Sequence, residues 1–448
     1  MTHKPRFHVI IRESEVLTMP TKKIVFSLMI LLFGLGACQA AAPAASQPAV
    51  EKISVAAASL PTAAVAVTQP AAGLELVPTA SLEPTSSAPV AIGPNPQDIP
   101  VGYNPLTGLP AADPATLKLP AVLVSITNFP VSARPQAGLS FSPWVYEIYI
   151  AEGMTRYLAT FYGDYPKIPD SAPLSAPTQA AASGSKASAP QPQAASAEVG
   201  PVRSGRLAYV YIRDFFQDSC LVYAGATEQI RARLRGCAMV YGDDSKDINS
   251  AMLDVTRLEK IAEQNQRANL QFNYSGSLFT ASPQSQGSPA SQINVYYSYL
   301  NQAQWQYDPA SGAYLKFDDF ADGSGKFTPA SDRLNGQQLA FSNVVVLFSE
   351  HTVLNPYIID VKMGPGEKGK AIIFRDGQKF DAYWSTVAGA YEQATGLRRP
   401  LRFEDANGQP FALKPGHTWV HIVTPASEVL DQGAGLWNLR FYAPAGAK

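Results

Sequence analysis

Trp144-Val145-Tyr146-Glu147-Ile148-Tyr149-Ile150 and, a few residues on, Arg156-Tyr157-Leu158-Ala159-Thr160-Phe161-Tyr162 are the runs from which the fold is read. Both are dense in aromatic and β-branched residues at the length of ordinary strands. Ala121-Val122-Leu123-Val124-Ser125-Ile126-Thr127 upstream is a third run of that kind. Past residue 200 the character changes. A helix is expected to open at Pro201 and run to Phe216, a strand over 220–223 and a helix over 226–234. Val255, Leu258, Ile261 and Ala262 recur near the 3.6-residue period of a further helix, with Asn249 or Ser250 as its cap. Trp305-Gln306-Tyr307 and Tyr314-Leu315-Lys316-Phe317, joined by Asp308-Pro309-Ala310-Ser311-Gly312, read as a hairpin. These elements outline an N-terminal α/β domain over residues 103–317.

Further on, strands dominate. Runs at 343–348, 357–363, 371–374, 380–384, 418–423 and 436–442 are separated by the turn signals Asp376-Gly377, Asn407-Gly408 and Lys414-Pro415-Gly416. They describe a smaller, mostly β C-terminal domain over 334–443, so the fold class expected is α+β, or mixed α/β. Residues 39–97 are largely Ala, Pro, Ser, Thr, Val and Gln, a composition that buries too little surface to offset the entropy of ordering, and they read as a disordered linker. Similar composition at about 171–197 and 282–291 reads as disordered loop insertions, whose closure entropy grows only slowly with length.

The chain has 448 residues, with Lys+Arg 35 against Asp+Glu 36 and a formal net charge of -1. That balance carries no electrostatic footprint for nucleic acid, and no nucleic-acid partner is expected. Near the start, Lys22-Lys23 precede an apolar run from Ile24 that ends in Leu35-Gly36-Ala37-Cys38. A basic start, an apolar stretch too short to span a bilayer and small residues before a cysteine describe a signal peptide within 1–38 that closes in a lipobox. Met19 is the natural start, and Cys38 would carry the lipid. Two acyl chains give stable attachment, so the address read here is the extracytoplasmic face of the cell membrane. An uncut anchor is the competing reading. Of the three cysteines this leaves Cys220 and Cys237 in an oxidising compartment, either bridged or as two buried thiols.

Five short motifs resemble the DUF3048 family, the YerB-type bacterial lipoproteins. They are Asn104-Pro105-Leu106-Thr107-Gly108; Ala133-Arg134-Pro135-Gln136-Ala137-Gly138-Leu139-Ser140; Tyr146-Glu147; Glu152-Gly153-Met154-Thr155-Arg156-Tyr157; and Gly200-Pro201-Val202-Arg203-Ser204-Gly205-Arg206. Trp384 and Lys414-Pro415-Gly416-His417-Thr418-Trp419-Val420 resemble its second domain. The resemblance implies a lipid-anchored extracytoplasmic protein with an α/β domain before a smaller one, and no established activity. Three departures stand out: Thr127 where the family usually has an acidic residue, Tyr223-Ala224-Gly225-Ala226 in place of a His-containing glycine-rich turn, and a shortened Glu152-Gly153-Met154.

The same motifs gather the candidate ligand-binding residues Arg134, Glu147, Glu152, Arg156, Arg203, Ser204 and Arg206. Arg203 and Arg206 at a helix start, with Ser204 as cap, suit a phosphate or carboxylate. Glu147 and Arg156 either reach a ligand or neutralise each other, and an internal ion-pair network is the competing reading of the whole set. Glu147 and Glu152, five apart on one strand, would lie on opposite faces, unsuited to paired acid/base work. His417 and His421 share a strand face without a ligand pattern around them, so no metal is expected, and no nucleotide motif points to a cofactor. The expected function is binding of an anionic or glycan envelope ligand, or of an envelope protein. The alternative is an envelope enzyme acting on phosphorylated or glycan substrates, from a weak likeness to polyprenyl-phosphate glycopolymer transferases whose Arg-Ser-Asp-Thr signature is absent.

If Cys38 is the anchor, Cys38→Ala moves the protein from the membrane fraction to the soluble fraction on cell fractionation. A variant that stays in the membrane, unprocessed, identifies the apolar run as a plain anchor.

Overall fold

A computed structural model describes residues 91–167, 197–266, 271–283 and 285–448. Cys38 and the signal segment, the linker up to residue 90 and the insertion from 168 to 196 lie outside the described residues. Early strands are β1 (Val122–Thr127), β2 (Trp144–Ala151) and β3 (Met154–Phe161). They are followed by α1 (Tyr209–Phe215), β4 (Cys220–Tyr223), α2 (Glu228–Leu234), β5 (Ala238–Met239) and α3 (Val255–Asn265). Next come β6 (Ser288–Pro289), β7 (Gln292–Ser298), β8 (Asn301–Asp308), β9 (Ala313–Asp319), β10 (Phe327–Pro329) and β11 (Ala340–Phe341). The chain then forms β12 (Asn343–Phe348), β13 (Lys368–Arg375), β14 (Gln378–Ser385), β15 (Arg402–Glu404), β16 (Thr418–Val423), β17 (Glu428–Asp431) and β18 (Leu436–Arg440).

One large sheet takes strands from both expected regions, in the order β6-β14-β13-β12-β16-β2-β3-β1-β4-β5, with β15 beside β14. The seam is β16. It runs parallel to β12 on one side and parallel to β2 on the other, so residues 418–423 close a gap between segments far apart in sequence. Fully buried strands read as continuous apolar runs, and Val122–Thr127, Trp144–Ala151 and Asn343–Phe348 are buried at every position. A second sheet, in the order β10-β9-β8-β7-β18-β17 with β11 on β9, covers one face of the first. There Trp419 and Phe374 of the large sheet meet Trp305, Tyr314 and Trp437 of the smaller one. The opposite face packs Leu123, Tyr146, Leu158 and Leu221 beneath Tyr209, Ile212 and Phe215 of α1 and Ile230 and Leu234 of α2.

The fold is mostly β with few helices, which reduces the α share expected of the first region. Its α1 begins at Tyr209, eight residues later than the sequence suggests, because the chain before it is engaged elsewhere. Val202 bridges Ile126, and Arg203 N donates to Ser125 O at 2.9 Å. The cap of α3 is Asp254, whose Oδ1 accepts from Thr256 N at 2.8 Å. Asn249 and Ser250 lie too early, since Leu253–Asp254 first pairs with Glu198–Val199. Residues 282–291, expected as a disordered insertion, instead place β6 along the sheet edge, Ser288 opposite Lys379. The last residues of the expected linker are likewise paired, Ile92 with Phe279.

Cys220, buried in β4, is bonded to the exposed Cys237 with a Cα–Cα separation of 5.4 Å. A polar tie links the two sheets. Glu147 and His421 are cross-strand partners on β2 and β16, with Glu147 Oε2 3.2 Å from His421 Nδ1. The Glu147 carboxylate also accepts from Thr155 Oγ1 at 2.8 Å and Trp419 Nε1 at 3.1 Å. On the second sheet Trp305 Nε1 donates to His421 Nε2 at 3.1 Å. Because an indole N–H only donates, Nε2 is the acceptor and Nδ1 carries the proton offered to Glu147. Burial by itself would raise the Glu147 carboxyl. The His421 hydrogen bond, the Lys316 ammonium and the Thr155 hydroxyl outweigh it and hold the group below its ordinary value.

Two outcomes follow from these ties. Cys237→Ser lowers the unfolding free energy by about 3 kcal/mol, the figure for a loop of this length, read by urea denaturation of oxidised protein. Glu147→Gln costs about 1.5–3 kcal/mol at pH 7, typical of lost bonds to a charged group. Because the folded carboxyl sits below the ordinary 4.5, the wild-type advantage is full above that pH and shrinks as pH falls below it. Paired denaturation curves at pH 7 and in acid measure the difference.

Candidate functional site

Glu147 pairs with Tyr157 across β2 and β3, whereas Arg156 pairs with Ile148. One residue of offset puts the two on opposite faces of the sheet, because strand side chains alternate. They do not neutralise each other. Glu147 faces the second sheet, and Arg156 faces the side of α1 with Leu158 and Tyr146.

Arg134 also turns to the second-sheet side, where Nη1 bonds Asp319 Oδ1 at 3.0 Å and Nη2 reaches Asn128 Oδ1 at 3.2 Å. From there the chain of bonds continues through Asn128 Nδ2 to Thr155 Oγ1 at 2.8 Å and so to Glu147. Glu152, in the β2–β3 turn at φ 52°, lies 3.2 Å from Lys448 Nζ at the surface. The ion-pair network considered from the sequence therefore describes Arg134, Glu147 and Glu152, each with its own partner.

The remaining three arginines behave differently. Residues 202–206 are strung between the ends of the parallel pair β1 and β4: Ala224 N donates to Arg203 O, and Gly205 N to Gly225 O, both at 2.9 Å. Gly205 packs closely against α2, where a Cβ would meet Leu234 Cδ1. This arrangement sets Arg203, Ser204 and Arg206 at the carboxyl ends of β1 and β4, the edge at which open α/β sheets leave room for ligands. Ser204 does not cap α1, whose first flanking residue is Ala208; its carbonyl accepts from Ser125 Oγ at 3.3 Å.

Arg156 is 4% exposed. Its Nε and Nη1 have no hydrogen-bond partner among the described residues, and neither do Arg203 Nε or Arg206 Nε. Arg203 Nη1 donates to Ile248 O at 2.6 Å. Among the described residues none of the three has a carboxylate at ion-pair distance; the ion pairs of the motif residues go to Arg134, Glu147 and Glu152 instead. Burial, then repulsion from Arg206 and Arg203, brings the Arg156 guanidinium down to about 9, with only the Tyr209 phenol acting the other way. Arg206 is lowered by burial and by Arg203, again opposed by Tyr209. Tyr209 OH in turn lies 3.0 Å from Ser125 Oγ. Buried cations are normally paired, so the buried Arg156 beside the half-buried Arg203 and Arg206, with no carboxylate at ion-pair distance, outlines an anion site.

Tyr209 and Ser125, which were not singled out from the sequence, complete the setting together with Thr127, which was noted there as a departure from the family pattern. Thr127 is the cross-strand partner of Arg156, and its hydroxyl donates to Phe129 O at 2.7 Å. The position where the family resemblance implies an acid is thus the one facing Arg156. His421, set aside as a strand histidine without ligands, meets the Glu147 carboxylate through a strand pairing that no local pattern specifies. No group of three or more His, Cys, Asp or Glu that would hold a metal occurs among the described residues.

Comparison with known proteins adds the family context. No curated protein matches the chain. A crystal structure of the YerB protein from Bacillus subtilis is similar at 22% sequence identity and a TM-score of 0.49, over 72% of this chain and 96% of that one. Residues 106–171 match the N-terminal domain of a family described as protein of unknown function, DUF3048, and residues 293–420 match its C-terminal domain. The second match begins ahead of the boundary at 317 read from the sequence. The chain therefore matches, in order, the N-terminal and then the C-terminal domain of the DUF3048 family.

Proposed function

We propose that this protein is a lipid-anchored, extracytoplasmic binding protein that takes an anionic ligand at Arg156, Arg203 and Arg206. The observation that carries the reading is the triad itself: three guanidiniums that act electrostatically on one another, each with an N–H donor left without a partner, and no carboxylate at ion-pair distance among the described residues. An oxyanion entering there satisfies the donors and relieves the mutual repulsion at once, and guanidinium forks match phosphate or carboxylate geometry. The groups acting electrostatically on Arg156 are Tyr209, Arg206 and Arg203. That set offers donors and positive charge but neither histidine nor carboxylate to move a proton, so capture without chemistry is the activity it supports. The lipobox at Cys38 supports the extracytoplasmic address, and the Cys220–Cys237 bond suits an oxidising compartment. Among the described residues no helix is long and apolar enough to cross a membrane.

Titration calorimetry with inorganic phosphate and pyrophosphate tests the reading. Each charge-assisted bond removed is worth about 1.5–3 kcal/mol, so the double variant Arg203→Ala, Arg206→Ala loses roughly 100-fold or more in affinity. Thr127→Glu places a carboxylate opposite Arg156 and should abolish anion binding while keeping or raising the melting temperature. Undiminished affinity in the double variant removes this site from consideration.

A further inference from the structure

The outer face of the second sheet carries a different chemistry. Alternation along β7, β8 and β18 turns Ile293, Val295, Trp305, Trp437 and Leu439 inward, and Gln292, Asn294, Tyr296, Gln302, Gln304, Gln306, Asn438 and Arg440 outward. Strand register aligns these outward residues in rows. Asn438, Asn294 and Gln304 lie directly opposite one another on three successive strands, as do Arg440, Tyr296 and Gln302.

The first row is bonded side chain to side chain. Asn294 Nδ2 donates to Asn438 Oδ1 at 3.0 Å, and Gln304 Nε2 to Asn294 Oδ1 at 2.9 Å. Gln292 Nε2 also donates to Asn294 Oδ1, at 2.9 Å. The amides are thereby held in fixed orientations while each keeps further donor or acceptor capacity facing outward. The second row holds one aromatic ring. Tyr296 is 39% exposed, with the Arg440 guanidinium 6.0 Å from its ring centroid and 5.5 Å from that of Tyr442.

Residues of both rows line an open cleft of about 590 Å³, among them Asn294, Tyr296, Gln302, Asn438 and Arg440, with Phe327 beside them. Its volume falls in the range of small-ligand sites, roughly 300–1,000 Å³. Charge is nearly absent. Arg440 is the only charged residue in the lining, and Glu428 sits directly opposite it on β17. Solvent-facing strand surfaces ordinarily carry Lys and Glu. A row of pre-bonded amides beside an exposed ring offers instead what a sugar requires: paired donors and acceptors for adjacent hydroxyls, and an apolar plate for the C–H face of a pyranose.

We infer that this face is a second binding site, for an uncharged pyranose oligosaccharide, with Tyr296 as the stacking platform and Asn294, Asn438 and Gln302 as the hydroxyl-reading groups. A neutral chain suits this lining better than an anionic one, because its one charged residue, Arg440, lies over the Tyr296 and Tyr442 rings with the Glu428 carboxylate on the neighbouring strand. The site is separate from the arginine triad, which lies on the opposite face of the large sheet, so the two readings stand or fall apart.

The test uses the whole protein and three neutral probes, hexasaccharides of β1,4-glucose, β1,4-N-acetylglucosamine and α1,4-glucose, with titration calorimetry as the readout. At least one should bind at micromolar to low-millimolar strength, and Tyr296→Ala or Asn438→Ala should weaken it at least tenfold. Both side chains are at the surface, so melting temperatures of the variants should stay near wild type and confirm that the fold is intact. Arg203→Ala, Arg206→Ala should leave sugar binding unchanged. No heat with any of the three sugars, or equal affinity in wild type and the Tyr296→Ala, Asn438→Ala double variant, overturns the proposal.

Discussion

The pairing of Glu147 with His421 is the constraint on which the rest of this structure depends. These residues sit opposite each other on β2 and β16, the strands at which residues from the two family domains meet in one sheet. Both are buried, so every polar atom they bring must be satisfied internally, and a partly satisfied group would cost more than an apolar one. The surroundings meet that demand from both sheets: Thr155 and Trp419 from the large one, Trp305 and Tyr297 from the small one. A continuous relay therefore runs from Arg134 through Asn128, Thr155 and Glu147 to His421 and Trp305. It fixes at one point the lateral order of the large sheet and the position of the second sheet above it.

The individual strands were legible because local pattern specifies them. The runs at 343–348 and 418–423 have the bounds read from the sequence, since each is an uninterrupted apolar, β-branched stretch. Pairing was not legible. Nothing within Thr418–Val423 says that it inserts between β12 and β2, because partner choice is decided by which buried faces and polar groups match across long separations. Arg134 and Asp319, 185 residues apart, show the same limit. The segment from Pro201 to Arg206 failed for another reason: its helix-start pattern was overridden by bonds to Ser125, Ala224 and Gly225. At the candidate site Arg156, Arg203 and Arg206 were visible as a motif, but the separation of Glu147 from them rests on a one-residue register.

That register divides the large sheet electrically. On one face a carboxylate is buried among indoles, a hydroxyl and an imidazole; on the other a guanidinium is buried among two further guanidiniums and a phenol. Each arrangement is local chemistry resolved differently. On the second-sheet face the charge has its counter-groups in the chain, and packing is closed. On the α1 face the counter-group is missing from the described residues, and the packing ends at the strand termini. The same alternation within β7 and β8 separates an apolar inner surface from an amide-lined outer one.

The position of β16 has a consequence for how this chain must be made. A sheet in which residues 418–423 lie between β2 and β12 cannot be completed by a growing polypeptide until residue 423 has been delivered. Until then β2 and β12 each present an open hydrogen-bonding edge and an apolar surface, the state most prone to wrong partners. A chain that emerges from its N-terminus onward therefore has to postpone closure until β16 arrives, long after β2 and β12.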